Sequence, residues 1–120
     1  MVTPIERAYH IKDTILTLRH ELAGRTLRDL IADTLDWSGY RYLLLVISEA
    51  ARNLPDDWQT SFGPDIAWRQ VEDLGNALRH GYHTLDVERL WFIYTNDLDP
   101  LEAAVDRMIA AHGSTKSPNS

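Results

Sequence analysis

The stretch PIERAYHIKDTILTLRHELA, residues 4–23, places apolar side chains at Ile5, Ala8, Ile11, Ile15, Leu18 and Leu22, in steps of three and four. That spacing is the 3.6-residue period of one helix face turned toward a core. Pro4 suits the first helical turn, where a missing N–H has no partner to lose, and Gly24 suits the exit. Reading outward, the same period recurs. Thr26-Leu27-Arg28-Asp29 reads as a capping box with Asp in place of the usual Glu, and predicts a short helical piece. A longer helix is expected from about Asp36 to Asn53. Its centre, Leu43-Leu44-Leu45-Val46-Ile47, is apolar almost all round and predicts the most buried element. Pro55 with Asp56-Asp57 ends it. Residues 61–65 read as a loop, and Pro64-Asp65 opens a third helix that carries Ile66, Trp68, Val71, Leu74 and Leu78 to a stop at Gly81. Asp86 caps a fourth helix bearing Val87, Leu90, Trp91 and Ile93. Asp99-Pro100 then restarts a last one through Leu101, Ala104, Val105, Met108 and Ile109, with Gly113 as its stop.

No convincing strand pair and no internal repeat interrupt this pattern, so the expected fold is all-α. It is an up-and-down four-helix bundle with an extra short helix. At 120 residues the chain holds one domain. We place that domain at residues 1–112, followed by a small, polar, Pro-containing tail at 113–120 that reads as disordered.

Composition narrows the function classes. The net charge is −6, with 12 basic against 18 acidic residues, which argues against a broad electrostatic grip on a nucleic-acid backbone. Ten of the 12 basic residues are Arg, so a local basic pocket stays open. Cysteine is absent, which removes disulfides, Cys-based zinc sites and Cys nucleophiles. The longest aliphatic run, Leu43 to Ile47, is far short of the ~20 residues that span a bilayer. Met1 to Arg7 shows no basic region followed by an apolar run. The expectation is a cytoplasmic protein with no membrane partner.

The densest polar cluster is Asn76-Ala77-Leu78-Arg79-His80-Gly81-Tyr82-His83. Asn76 and His80 are four residues apart and share a helical face. Tyr82 lies past the helix stop, where its ring can fold back beside His80. A histidine titrating near neutrality, beside Asn, Arg and Tyr donors, suits general acid–base work on a phosphodiester. The same residues also fit a plain helix end whose His and Arg complement the negative dipole terminus. His80 and His83 form a His-x-x-His pair, but the other candidate ligands are scattered carboxylates such as Asp86, so no metal and no cofactor are expected. Glu49, near Ser48 and Arg52, reads as a buried carboxylate paired with an Arg of a neighbouring helix.

Several ordered segments resemble the HepT-like toxins of the HEPN superfamily. They are Ser48-Glu49-Ala50-Ala51-Arg52-Asn53-Leu54-Pro55, the run from Ile66 through Leu74-Gly75-Asn76-Ala77-Leu78-Arg79-His80-Gly81-Tyr82, and Asp86-Val87 to Leu90-Trp91 followed by Asn96-Asp97-Leu98-Asp99-Pro100-Leu101. The resemblance covers roughly Arg7 to Ile109. It implies a helical bundle that homodimerises and brings two copies of an Arg-x(4)-His-x-Tyr motif across one cleft. It also implies a metal-independent ribonuclease restrained by a minimal nucleotidyltransferase antitoxin, which can transfer AMP onto the motif tyrosine. The family's His falls on His80, its Tyr on Tyr82, and the polar residue after the motif Arg on Asn76.

The motif Arg falls on position 75, which here is Gly75. That arginine would hold and neutralise the phosphate as charge builds on it, which glycine cannot do. Tyr42 and Ser48 likewise stand where the family more often has Arg and Gly. Arg79 is the first candidate to replace the missing cation, although neighbours on a helix point about 100° apart. Arg69 lies eleven residues before His80, ~16 Å along the axis. Three functions therefore stand beside one another: an active ribonuclease toxin that uses His80, Asn76 and Arg79; a catalytically weak relative that binds the nucleotidyltransferase and accepts AMP on Tyr82; and a structural or adaptor helical dimer. Gly75→Arg is expected to raise cleavage, and to hold or improve stability unless the position is buried.

Overall fold

The apolar face of residues 4–23 folds as α1 (Pro4–Leu22), with Ala8, Ile11, Ile15, Leu18 and Leu22 all buried. The computed structural model describes residues 2–80 and 86–113; Gly81, Tyr82, His83 and the expected tail beyond Gly113 lie outside them. Thr3 caps α1 through a reciprocal bond with Glu6, and Gly24 turns the chain out at φ +76. The expected capping box starts α2 (Leu27–Ile31): the Asp29 amide donates to Thr26 Oγ1 at 3.1 Å, and the Thr26 amide donates back to Asp29 Oδ2 at 3.0 Å. α3 (Thr34–Arg52) begins two residues earlier than its periodicity suggests, because Asp33 and not a later residue caps it.

The segment after Pro55 departs from the sequence reading. It forms a further short helix, α4 (Asp56–Phe62), where no helix is expected. Tertiary contacts hold this turn in place: Gln59 Nε2 donates to the Ala51 carbonyl at 3.0 Å and to Glu72 at 3.2 Å. The third long helix, α5 (Trp68–His80), starts later than Pro64-Asp65. Trp68 opens it by donating Nε1–H to the Gly63 carbonyl at 2.8 Å. A Cβ on Gly63 would lie 2.8 Å from the Trp68 ring, so only glycine lets the indole close the loop this tightly.

Asp86 caps α6 (Val87–Phe92), as its position suggests. The expected restart at Asp99-Pro100 does not occur. The chain passes from α6 through a π-helical turn (Ile93–Asp97) into α7 (Leu98–His112), with right-handed helical angles at Phe92, Ile93 and Leu98. Pro100 has no N–H for the carbonyl four residues back and its ring crowds that carbonyl. A wider turn just before it relieves the crowding and keeps the helix going. Thr95 Oγ1 and Asn96 Nδ2 donate to the Trp91 and Phe92 carbonyls, which the altered register would otherwise leave under-bonded.

Among the described residues there is no strand, and no helix is long and apolar enough to cross a membrane. α1 packs against both α3 and α7, while α5 packs chiefly on α3. α5 is therefore an edge helix, with one face on the bundle and the other in solvent. Aromatics that look surplus in the sequence are used inside the fold: Trp68 is buried, and Trp91 lies against Tyr40 and Tyr94. Tyr40 is 3% exposed and donates its hydroxyl to the Leu90 carbonyl, tying α3 to α6; burial pushes its phenol pKa well up.

Candidate active site

The C-terminal turns of α5 carry Asn76, Arg79 and His80, all three exposed. α5 is amphipathic, and its apolar side (Trp68, Val71, Leu74, Leu78) fixes which polar residues face outward. Asn76 and His80 fall on adjacent turns of the outer surface, ~6 Å apart along the axis. Arg79 leans the other way, toward α3. It forms an ion pair with Glu49 and donates to Asn76 Oδ1 at 2.8 Å. Glu49 thus has the cross-helix Arg partner its position suggests, but its side chain is 39% exposed, so the pair sits at the rim of the helix interface and not within it.

A second guanidinium reaches the same amide. Arg52, in the last turn of α3, donates to Asn76 Oδ1 at 3.3 Å. The sequence names Arg52 only as a neighbour of Glu49. The available signal was their i, i+3 spacing on α3, which places both on the side that meets α5. Arg79 and His80 do not converge on one point of the helix surface, as their adjacency foretells. Arg69 lies about three turns before His80. Tyr82, the expected AMP acceptor, lies outside the described residues.

Gly75 is buried against α3. A Cβ placed there would lie 3.1 Å from the Ser48 Cβ, 3.6 Å from Glu49 Oε2 and 3.7 Å from Leu45 Cδ1. The missing side chain is therefore a packing feature: α3 and α5 approach closely where Ser48 faces Gly75. Ser48 is 1% exposed, and its hydroxyl has no hydrogen-bond partner among the described residues.

A cleft of about 600 Å³ lies between α5, α3 and the run from α6 to α7, lined by Ser48, Val71, Leu74, Leu90, Ile93 and Leu101 among others. Asn76, Arg79 and His80 do not line it. Among the described residues no three His, Cys, Asp or Glu side chains gather as metal ligands. The polar cluster itself offers what phosphodiester chemistry uses: an imidazole open to solvent, and two guanidinium groups one turn away sharing a neutral acceptor.

Over about half of its length or more, the chain is similar to known proteins. Residues 11–108 match the family described as ribonuclease HepT-like. A probable ribonuclease HepT from Thermococcus cleftensis is 31% identical over 65 residues, covering 54% of this chain and 58% of that protein. A putative RNase from Methanocaldococcus jannaschii is 32% identical over 63 residues, covering 52% of this chain and 57% of that protein. The chain thus spans a little over half the length of these relatives. No solved structure matches significantly.

Proposed function

Because the chain belongs to the HepT-like ribonuclease family, we propose that it is a metal-independent endoribonuclease and the toxin of a pair whose antitoxin is a minimal nucleotidyltransferase. The observation that carries this reading is His80, exposed at the end of α5 beside Asn76, within the segment that matches the family. In the reaction, a base takes the proton of an RNA 2′-hydroxyl and the 2′-oxygen attacks the adjacent phosphorus. The P–O5′ bond breaks, and an acid protonates the leaving 5′-oxygen. One chain supplies one His80; a homodimer supplies two, so that one imidazole serves as base and the other as acid.

The test uses the full chain, a synthetic RNA and a chelator. The proposal expects cleavage that leaves a 2′,3′-cyclic phosphate and stops when the attacking position is 2′-deoxy. Cleavage that tolerates the 2′-deoxy sugar would rule out the 2′-oxygen as nucleophile. Tyr82 is the proposed acceptor of AMP from the nucleotidyltransferase. With that partner and ATP supplied, the added mass should map to Tyr82 and vanish in Tyr82→Phe; modification at another residue would count against it.

One observation favours a second reading. Gly75 is packed tightly against Ser48, so the position of the motif arginine carries no guanidinium and accepts a side chain only if its neighbour yields. On this reading the chain is a weak nuclease that serves chiefly as a binding partner and AMP acceptor. Cleavage by the wild type under single-turnover conditions separates the two.

A further inference from the structure

A phosphodiester cleaved beside His80 gains charge on its non-bridging oxygens, and a guanidinium in contact with them stabilises that charge. Position 75 presents none, because glycine carries no side chain, and a Cβ there would sit 3.1 Å from the Ser48 Cβ. Two guanidinium groups nevertheless meet one turn before His80, both donating to Asn76 Oδ1: Arg52 at 3.3 Å and Arg79 at 2.8 Å. Their charge balance differs. Arg79 is paired with Glu49, which cancels much of its charge and turns its donors toward α3. Arg52 rests on the amide oxygen of Asn76, an acceptor that orients a guanidinium without neutralising it. The remaining N–H groups of such a side chain can take two phosphate oxygens at once.

We infer that Arg52, held by Asn76, is the residue that grips the scissile phosphodiester of RNA, and that Glu49 keeps Arg79 out of that role. This inference rests on the ribonuclease reading above. Asn76 and His80 stand ~6 Å apart along α5, a span that one phosphodiester can bridge between a guanidinium at one end and an imidazole at the other. Asn76 is then a positioning residue, acting on the substrate through Arg52. The plain alternative is that Arg52 only complements the negative end of α3, as a basic residue in a last turn does. That role would be indifferent to RNA.

The experiment compares the full-length wild type with Arg52→Ala, Arg52→Lys and Arg79→Ala, each checked for an unchanged melting temperature. Two quantities are read. One is single-turnover cleavage of RNA in chelator. The other is binding of a non-cleavable 2′-deoxy oligonucleotide across a salt series. Arg52→Ala should slow cleavage ~10²–10³-fold, the usual effect of losing one transition-state donor. Arg52→Lys should fall between, lacking the bidentate fork, and Arg79→Ala should have the smaller effect of the two alanine variants. Arg52→Ala should also flatten the dependence of binding on log salt by roughly one phosphate contact. An unchanged rate and slope in Arg52→Ala, or a larger loss in Arg79→Ala, overturns the assignment. If the wild type shows no His80-dependent cleavage, the ribonuclease reading falls and binding alone decides: a flattened slope in Arg52→Ala still supports the phosphate site, and an unchanged slope overturns it.

Discussion

Gly75 shows how one residue carries two meanings. In the sequence it stands where a phosphate-holding arginine is expected; in the fold it is a point of close approach between α3 and α5. Gly75 is buried, so the condition under which Gly75→Arg would hold or improve stability is not met. Overpacking at a buried contact costs ~1–3 kcal/mol, which outweighs the ~1 kcal/mol gained by replacing a helical glycine. Ser48→Gly in the same chain removes the atom at 3.1 Å. Urea melts of the four chains in this cycle should give a favourable coupling of at least ~0.5 kcal/mol; strict additivity would mean the two positions do not compete for space. Ser48→Ala should stabilise the protein by ~1 kcal/mol, because it deletes a buried hydroxyl that has no partner among the described residues. Asn76→Asp tests the polar cluster: a carboxylate still accepts from Arg52 and Arg79 but cancels their charge. It should therefore bind RNA more weakly than Asn76→Ala, by equilibrium binding in chelator. The composition of this cluster was legible in the sequence, and so was the divergence of Arg79 from His80. The Arg52 contact was not, because a helical pattern assigns faces and says nothing of how far apart two helices run.

At the level of elements, the periodic apolar positions of α1 and the Thr26 capping box appear as read, since both depend on neighbours within a few residues. α4 does not, because it depends on distant partners, and the π turn does not, because an apolar period does not register one wider turn. Gln59 needs Ala51 and Glu72, and the continuity past Pro100 needs carbonyls re-bonded by Thr95 and Asn96. The α1–α7 contact carries a network across the bundle: Lys12 to Glu102 at 2.6 Å and to Asp106 at 2.9 Å, and Arg19 to Asp99 at 2.6 Å and to Glu102 at 2.9 Å. The Lys12 hydrogen bond, with help from Arg19, holds the Glu102 carboxyl below its usual range. A carboxylate depressed in the folded state stabilises fully above its unfolded-chain pKa, and that contribution is lost as pH falls through the folded value. Glu102→Gln should therefore lower the melting temperature at neutral pH and shrink the drop expected of the wild type below about pH 4.5. Because the pair is near the surface, the effect at neutral pH should be no more than ~1 kcal/mol. Parallel pH–melting curves for the two proteins would mean the network adds no stability.

At the scale of the molecule, α5 lies at the edge of the bundle and presents His80 outward. Trp68, Trp91 and Tyr94 are engaged within the chain. The apolar surface that remains on α3 includes Leu35 at 83% and Tyr42 at 63% exposure, seven residues apart on one face. If the proposed dimer uses that face, light scattering at micromolar concentration should give a dimer for the wild type and a shift to monomer in Tyr42→Lys. A wild type that stays monomeric would remove the two-histidine cleft. The claim on which everything else depends is that this fold cuts RNA with an imidazole and no metal ion. Its most direct measurement is the single-turnover rate of RNA cleavage in excess chelator for the full chain and for His80→Ala, an exposed substitution that should leave the melting temperature unchanged. We predict cleavage by the wild type and a fall of ~10²–10⁴-fold in His80→Ala, the range that general acid–base catalysis supplies. Equal rates in the two proteins, or no cleavage in either, would contradict the account.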